Sequence, residues 1–200
     1  MNLLELLQDQ LSGPVVDQLS KTIRADKEQT ANAAEGVFAT LVSALSRNAA
    51  KPEAGSALMN ALDRDHDGSI LNDVMGMLGG AQPTAKANNG MGILDHILGG
   101  KADNVVQMIS KTSGLNFLQS SELMKLLAPM VMGTLGKAKQ QSGFDLGGLS
   151  QILTGSVQQA SQKREGMSLI EKVLDADGDG NIMDDLAGMG MKVLGGFFRK

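Results

Sequence analysis

Two stretches of the chain carry the same spaced carboxylates. Leu62–Asp63–x–Asp65–x–Asp67–Gly68–x–Ile70 and Leu174–Asp175–x–Asp177–x–Asp179–Gly180–x–Ile182 agree at every named position. Alternate Asp residues at loop positions 1, 3 and 5 converge three carboxylates on one centre. Such a set suits a hard divalent cation, which takes about 6–8 oxygens. Gly68 and Gly180 at position 6 permit a sharp turn with positive φ. Position 7, Ser69 and Asn181, offers a backbone carbonyl. Ile70 and Ile182 at position 8 point away from the metal, and Leu62 and Leu174 anchor the incoming segment. Like charges crowded into so short a turn repel one another, so a cation there stabilises it.

These runs resemble the front half of the calcium loop of the EF-hand. The back half departs from it. The EF-hand closes with a bidentate Glu at position 12, where this chain has Val74 and Leu186. The nearest carboxylates are Asp73 and Asp185 at position 11 and Asp184 at position 10. The cage is therefore shorter by a residue or holds more water, and its affinity is expected on the order of 10⁻⁵ to 10⁻³ M. The expected ligands are Asp63, Asp65, Asp67, Ser69 and Asp73 in the first loop. In the second they are Asp175, Asp177, Asp179 and Asn181, with Asp184 or Asp185. Ca²⁺ is the expected ion; Mg²⁺, which keeps its own waters, also fits so short a set. The plainer reading makes the loops solvated turns, with Asp73 and Asp184 or Asp185 as helix N-caps. Capping and metal binding are compatible. His66, at position 4, is expected to face solvent.

Composition narrows the remaining chemistry. The 200 residues include no Cys, which excludes disulfides, thiolate metal sites and a Cys nucleophile. With only His66 and His96 there is no His-rich zinc site. Trp and Tyr are absent and Phe numbers five, so stacking platforms for bases or sugars are lacking. A formal charge of −4 argues against nucleic-acid binding, which needs clustered Lys and Arg. That charge is concentrated: residues 63–73 sum to −3 and residues 175–185 to −5, leaving +4 on the rest. The pairs Gly79–Gly80, Gly99–Gly100, Gly147–Gly148 and Gly195–Gly196 have no preceding strand and no Gly-Lys-Ser/Thr. They read as helix C-caps, not phosphate loops. No Gly-x-Ser-x-Gly or His-Glu-x-x-His occurs. An enzyme is not expected; the remaining catalytic option is a hydrolase with a carboxylate pair drawn from Glu5, Glu35, Glu53 and Glu122. Met75, Met77, Met124, Met130, Met132, Met189 and Met191 read as core filler, with an adaptable partner-binding surface as the alternative.

The elements that must hold the loops are helical. Leu3, Leu4, Leu7 and Leu11 form one stripe, and Val15, Val16, Leu19 and Ile23 a second beyond Gly13–Pro14. A long helix is expected from Asp26 to about Ala49, with Ala34, Phe38, Leu41 and Leu45 inward. Pro52 opens a short one carrying Ala54, Leu58 and Leu62. No stretch alternates as a strand does. Residues 79–92, rich in Gly, Asn and Ala, read as a linker, and Gly143–Gly148 as a second soft spot.

The chain also repeats itself. Leu3–Leu7 matches Ile93–Ile97, and Val15–Val16 with Ser20–Lys21–Thr22 matches Val105–Val106 with Ser110–Lys111–Thr112, all at an offset of 90. Phe38–Ala39–Thr40–Leu41 matches Met132–Gly133–Thr134–Leu135 at 94, and the acidic loops match at 112. The expected architecture is all-α: two tandem helical repeats forming a bundle, each ending in an Asp-x-Asp-x-Asp-Gly loop. Repeat 1 is residues 1–80 with loop 63–73; 81–92 is the linker; repeat 2 is 93–200 with an insertion near 140–164 and loop 175–185. The N-terminal stretch lacks a basic region and is broken by Glu5, so an export signal is not expected. The longest apolar stretch, Leu126–Gly136, is too short for a membrane span of about 18 residues. A cytoplasmic protein is the expectation.

Taken whole, the chain resembles the YidB-like group of bacterial helical proteins of unknown function. The resemblance rests on Leu/Ile–Leu–Gly–Gly turns, the run at 105–115, the Leu–Leu–Ala–Pro–Met–Val–Met–Gly–Thr–Leu–Gly segment at 126–136, and the acidic loops. It implies an all-α bundle and no activity. The expected function is non-enzymatic Ca²⁺ binding with a structural or mildly regulatory ion. The alternative is a helical interaction module, with a protein partner or self-association and incidental metal. No small-molecule substrate is inferred.

Overall fold

The computed structural model describes residues 2–64, 69–82, 84–85 and 87–162. Among them every regular element is helical: α1 (Leu3–Gln10), α2 (Gly13–Ile23), α3 (Lys27–Ala49), α4 (Pro52–Arg64), α5 (Ile70–Leu78), α6 (Gly90–Leu98), α7 (Ala102–Ser113), α8 (Phe117–Ser142) and α9 (Leu146–Gln162). A 3-10 turn, Gly99–Lys101, joins α6 to α7. The fold is all-α, as the periodicity predicts.

Local chemistry sets the starts of these helices. The Asn2 side chain accepts from the Leu4 amide at 3.0 Å. Asp26 does the same for Glu28 and Gln29, at 2.8 and 3.2 Å. Asn116 and Gln119 form a reciprocal capping box, 2.9 and 3.0 Å, at the head of α8. Left-handed residues end α2, α7 and α8: Arg24 at φ 55, Gly114 at φ 78 and Gly143 at φ 62. Glycine adopts this conformation freely; Arg24 does so at a cost.

The two long helices α3 and α8 pack on each other at the centre, and the others surround them. Both are buried on all sides over part of their length, Thr40–Ser46 and Leu126–Gly136. Ala34, Phe38, Leu41 and Leu45 all face the core, as do Leu3, Leu7, Val15, Leu19 and Ile23. The methionines divide. Met124, Met130 and Met132 are buried, whereas Met75 is exposed; Met189 and Met191 lie outside the described residues.

α8 carries Pro129 in its interior. Proline supplies no amide to the carbonyl four residues back, here that of Lys125. The start of α6 comes against this carbonyl: a Cβ built on Gly90 would lie 2.0 Å from the Lys125 oxygen. Glycine is thus required there by close approach, and it places a helix start inside the stretch read as linker. The three residues 90–92 belong to α6.

One of the glycine-pair readings changes. Gly147–Gly148 opens α9, where Asp145 Oδ1 accepts from the Gly148 amide at 2.9 Å; the C-cap of the preceding helix is Gly143. Gly195–Gly196 lies outside the described residues.

The repeat is a pattern of the sequence, against which the helix lengths can be set. α1 to α4 have 8, 11, 23 and 13 residues, and α6 to α9 have 9, 12, 26 and 17. The caps Asp26 and Asn116, and the left-handed residues Arg24 and Gly114, stand at the same offset of 90.

Candidate functional site

The first acidic run joins α4 to α5. Asp63 stands in the last turn of α4 and Asp73 in the first turn of α5, and both helices rest on α8. Leu62 and Ile70, the apolar residues flanking the run, are both buried. They pin its two ends to the core, as their positions predict. Asp65, His66, Asp67 and Gly68 lie outside the described residues. So do all the expected ligands of the second loop: Asp175, Asp177, Asp179, Asn181, Asp184 and Asp185. Among the described residues, no group of three or more His, Asp or Glu is placed to hold a metal ion.

Each described residue of the first set has a protein partner. Lys139, on α8, donates to Asp63 Oδ1 through a close ion pair. Its ammonium also lies 3.4 Å from the carbonyl of Met59. The Lys139 side chain is only 15% exposed, whereas that of Asp63 is 61% exposed. A largely buried ammonium therefore sits at the negative end of α4 and neutralises the position-1 carboxylate. Asp73 accepts from the Thr84 hydroxyl at 2.9 Å, and Thr84 Oγ1 also accepts from the Ala87 amide at 3.2 Å. Asp73 thus fastens the segment after α5 to that helix. The Ser69 carbonyl accepts from the amides of Asn72 and Asp73, at 3.0 and 3.4 Å. A carbonyl has two lone pairs, and these two bonds engage both of them.

Chain reading alone misses Lys139 and Thr84. Lys139 lies 76 residues from Asp63, and the pairing depends on how α4 crosses α8. The hydroxyl of Thr84 carries no spacing signal at all.

A concave feature lies between α4 and α6. This groove, of about 530 Å³, has a floor of Leu45, Leu58, Ile93 and Met132. Asn89, Asp95 and His96 stand at its edge, and the Asn48 amide donates to the Ile97 carbonyl at 3.0 Å. His96 is exposed. Glu5, Glu35, Glu53 and Glu122 are all exposed on four different helices, and none lines this groove.

No helix among the described residues is long and apolar enough to cross a membrane. Comparison with curated proteins and with solved structures gives no match. One family does match, over residues 5–138, a span that takes in the first acidic run and most of α8 but not the second run. The chain therefore belongs to the family described as bacterial protein of unknown function (DUF937).

Proposed function

We propose that the protein is a non-enzymatic, divalent-cation-binding helical protein. A cation held by residues 63–73 ties α4 to α5, and one held by residues 175–185 ties the segments on either side of that run. Ca²⁺ is the proposed ion, with Mg²⁺ as its competitor. The ion's role is structural or mildly regulatory. Within the family, the YidB-like group is the proposed affiliation, and the cytoplasm the proposed setting.

One observation supports this reading above the others. The first acidic run bridges two helices that share α8 as a support, with a buried apolar residue at each end. Its carboxylates repel one another between fixed ends, and a cation removes that repulsion. The ammonium of Lys139 already does so for Asp63 alone.

Thermal melts followed by far-UV circular dichroism test the reading, with chelator and with about 5 mM Ca²⁺. A site of Kd near 10⁻⁴ M then adds about 2 kcal/mol. In a chain of this size that corresponds to a rise in Tm of about 4–8 °C. An unchanged midpoint, with no heat on calcium titration, overturns the reading.

The α4–α6 groove favours a second reading, an interaction module with incidental metal. Under it, replacing Asp63, Asp65, Asp175 and Asp177 by Ala spares partner binding. Loss of binding in that variant favours metal control instead.

A further inference from the structure

Two bulky apolar side chains stand in solvent at the head of α8. Leu118 is 77% exposed and Phe117 44%. Helix formation does not call for them. The capping box is made by Asn116 and Gln119, and Leu115 and Ser120 on either side are the buried residues. The sequence match at the offset of 90 sharpens the point. Asp26–Lys27–Glu28–Gln29–Thr30 opens α3 where Asn116–Phe117–Leu118–Gln119–Ser120 opens α8. The cap, the Gln and the hydroxyl residue keep their chemistry, but the two charged residues of α3 are apolar in α8. Adjacent apolar side chains left in water forgo the free energy of burial, which marks a surface that another surface covers.

The surroundings of this knob are basic. Gln119 Nε2 donates to the Arg24 carbonyl at 2.9 Å, which brings the end of α2 beside it. Ser110 Oγ donates to the Leu115 carbonyl at 2.7 Å and holds the last turn of α7 there as well. Lys21, Arg24 and Lys111 in these turns are exposed, and none has an ion-pair partner among the described residues. Most acids on the adjoining helices are engaged: Asp26 accepts from two amides of α3, and Asp17 and Glu122 pair with Lys27 and Lys125. Glu28 alone is left against the three cations. The α4–α6 groove carries the opposite charge. Ala54, Ala57 and Ala61 form one wall, too small to close over the apolar floor, and Asp95 stands exposed at the edge with no ion-pair partner among the described residues. Phe117 and the floor residue Met132 both belong to α8, about 22 Å apart along its axis. A chain therefore cannot fill its own groove with its own knob.

We propose that Phe117 and Leu118 of one chain insert into the α4–α6 groove of a second copy, with Arg24 and Lys111 meeting Asp95 at the edge of the contact. The proposal rests on the groove of the second reading above and gives that groove its partner; a bound cation takes no part in it. Two different patches meet, so each chain in a pair keeps a free knob and its partner a free groove. Such a contact builds open chains or rings, not a closed two-fold dimer. The charge of −4 on each copy opposes it, so the contact is expected at high concentration in about 0.15 M salt, where repulsion is screened beyond about 8 Å.

Sedimentation equilibrium of the full chain, with chelator in that salt, tests it. The average mass is expected to rise at least twofold between about 10 μM and about 1 mM chain. Leu118→Glu and Ala57→Glu change exposed residues, and a carboxylate in the first turn of α8 also suits the helix head, so both variants fold with an unchanged circular dichroism spectrum. Each alone is expected to stay monomeric. Mixed, they regain one contact, the intact knob of the Ala57→Glu chain in the intact groove of the Leu118→Glu chain, and form pairs and nothing larger. Both carry the added negative charge, so pairing in the mixture separates the lost contact from simple repulsion. The absence of Cys allows a second readout. Under mild oxidation, Leu118→Cys mixed with Ala57→Cys is expected to give at least tenfold more mixed disulfide than 118–118 disulfide. A chain monomeric at about 1 mM, association that survives both Glu variants, a mixture that does not pair, or 118–118 bridging equal to 118–57 each overturns the proposal. The groove's wider reading is judged separately, by partner binding in the Asp→Ala variant, so the two failures are distinct.

Discussion

Lys139 is the residue on which the candidate site turns. Its ammonium occupies the position-1 carboxylate of the first loop, so a divalent cation must share Asp63 with it or displace it. A fixed positive charge beside a doubly charged ion weakens binding by about 1–2 kcal/mol even in water-like surroundings. Lys139→Met is therefore expected to tighten Ca²⁺ binding at the first loop about tenfold, read by calorimetric titration. The same change removes a half-exposed ion pair and lowers cation-free stability by less than about 1 kcal/mol. Weaker Ca²⁺ binding in the variant would show that Lys139 organises the loop instead of competing with its ligand. Arg24 presents a separate case. It is the one non-glycine residue with positive φ among the described residues, at 55°, where the matched position is Gly114. Arg24→Gly relieves that strain and is expected to raise stability by about 0.5–1 kcal/mol in urea unfolding. A loss of stability there would mean that the side chain outweighs the strain.

At the level of the elements, much was legible in the sequence, for a physical reason. Leu3, Leu7, Val15, Leu19, Phe38 and Leu45 sit where a 3.6-residue period puts them, and capping by Asp26 and Asn116 is local chemistry. What was not legible depends on contacts between distant segments. Asn89 and Gly90 read as linker residues, yet Gly90 opens α6 because only glycine fits against the Lys125 carbonyl. Gly147–Gly148 reads as a helix end, yet the side chain of Asp145 turns it into a start. Lys139 and Thr84 were invisible as partners of Asp63 and Asp73 because their pairing is set by helix packing. The close approach at Gly90 is testable. Gly90→Ala forces a methyl group against backbone and is expected to cost about 2–3 kcal/mol in urea unfolding, because neither helix backbone can yield cheaply. A cost below about 0.5 kcal/mol would mean that α6 does not sit so tightly on α8.

Across the whole molecule, charge is the property that links the loops to behaviour. The two acidic runs hold −8 between them, and the remaining chain holds +4. Two divalent ions bring the formal sum to zero. Net repulsion between molecules then disappears, and self-association or lower solubility is expected on loading. Light scattering during a Ca²⁺ titration reads this; an unchanged size at saturation would show that like-charge repulsion is not what keeps the molecules apart. The family match reaches only the first acidic run, so the two loops need not share one history or one affinity. Their shared chemistry is nevertheless the feature on which the functional reading stands. Calorimetric titration of the full chain with Ca²⁺, beside a variant carrying Asp63→Asn, Asp65→Asn, Asp175→Asn and Asp177→Asn, tests it most directly. Saturable heat with Kd on the order of 10⁻⁵ to 10⁻³ M, lost in the variant, is the expected result. No heat from the unsubstituted chain, or equal heat from both proteins, would contradict cation binding at these loops.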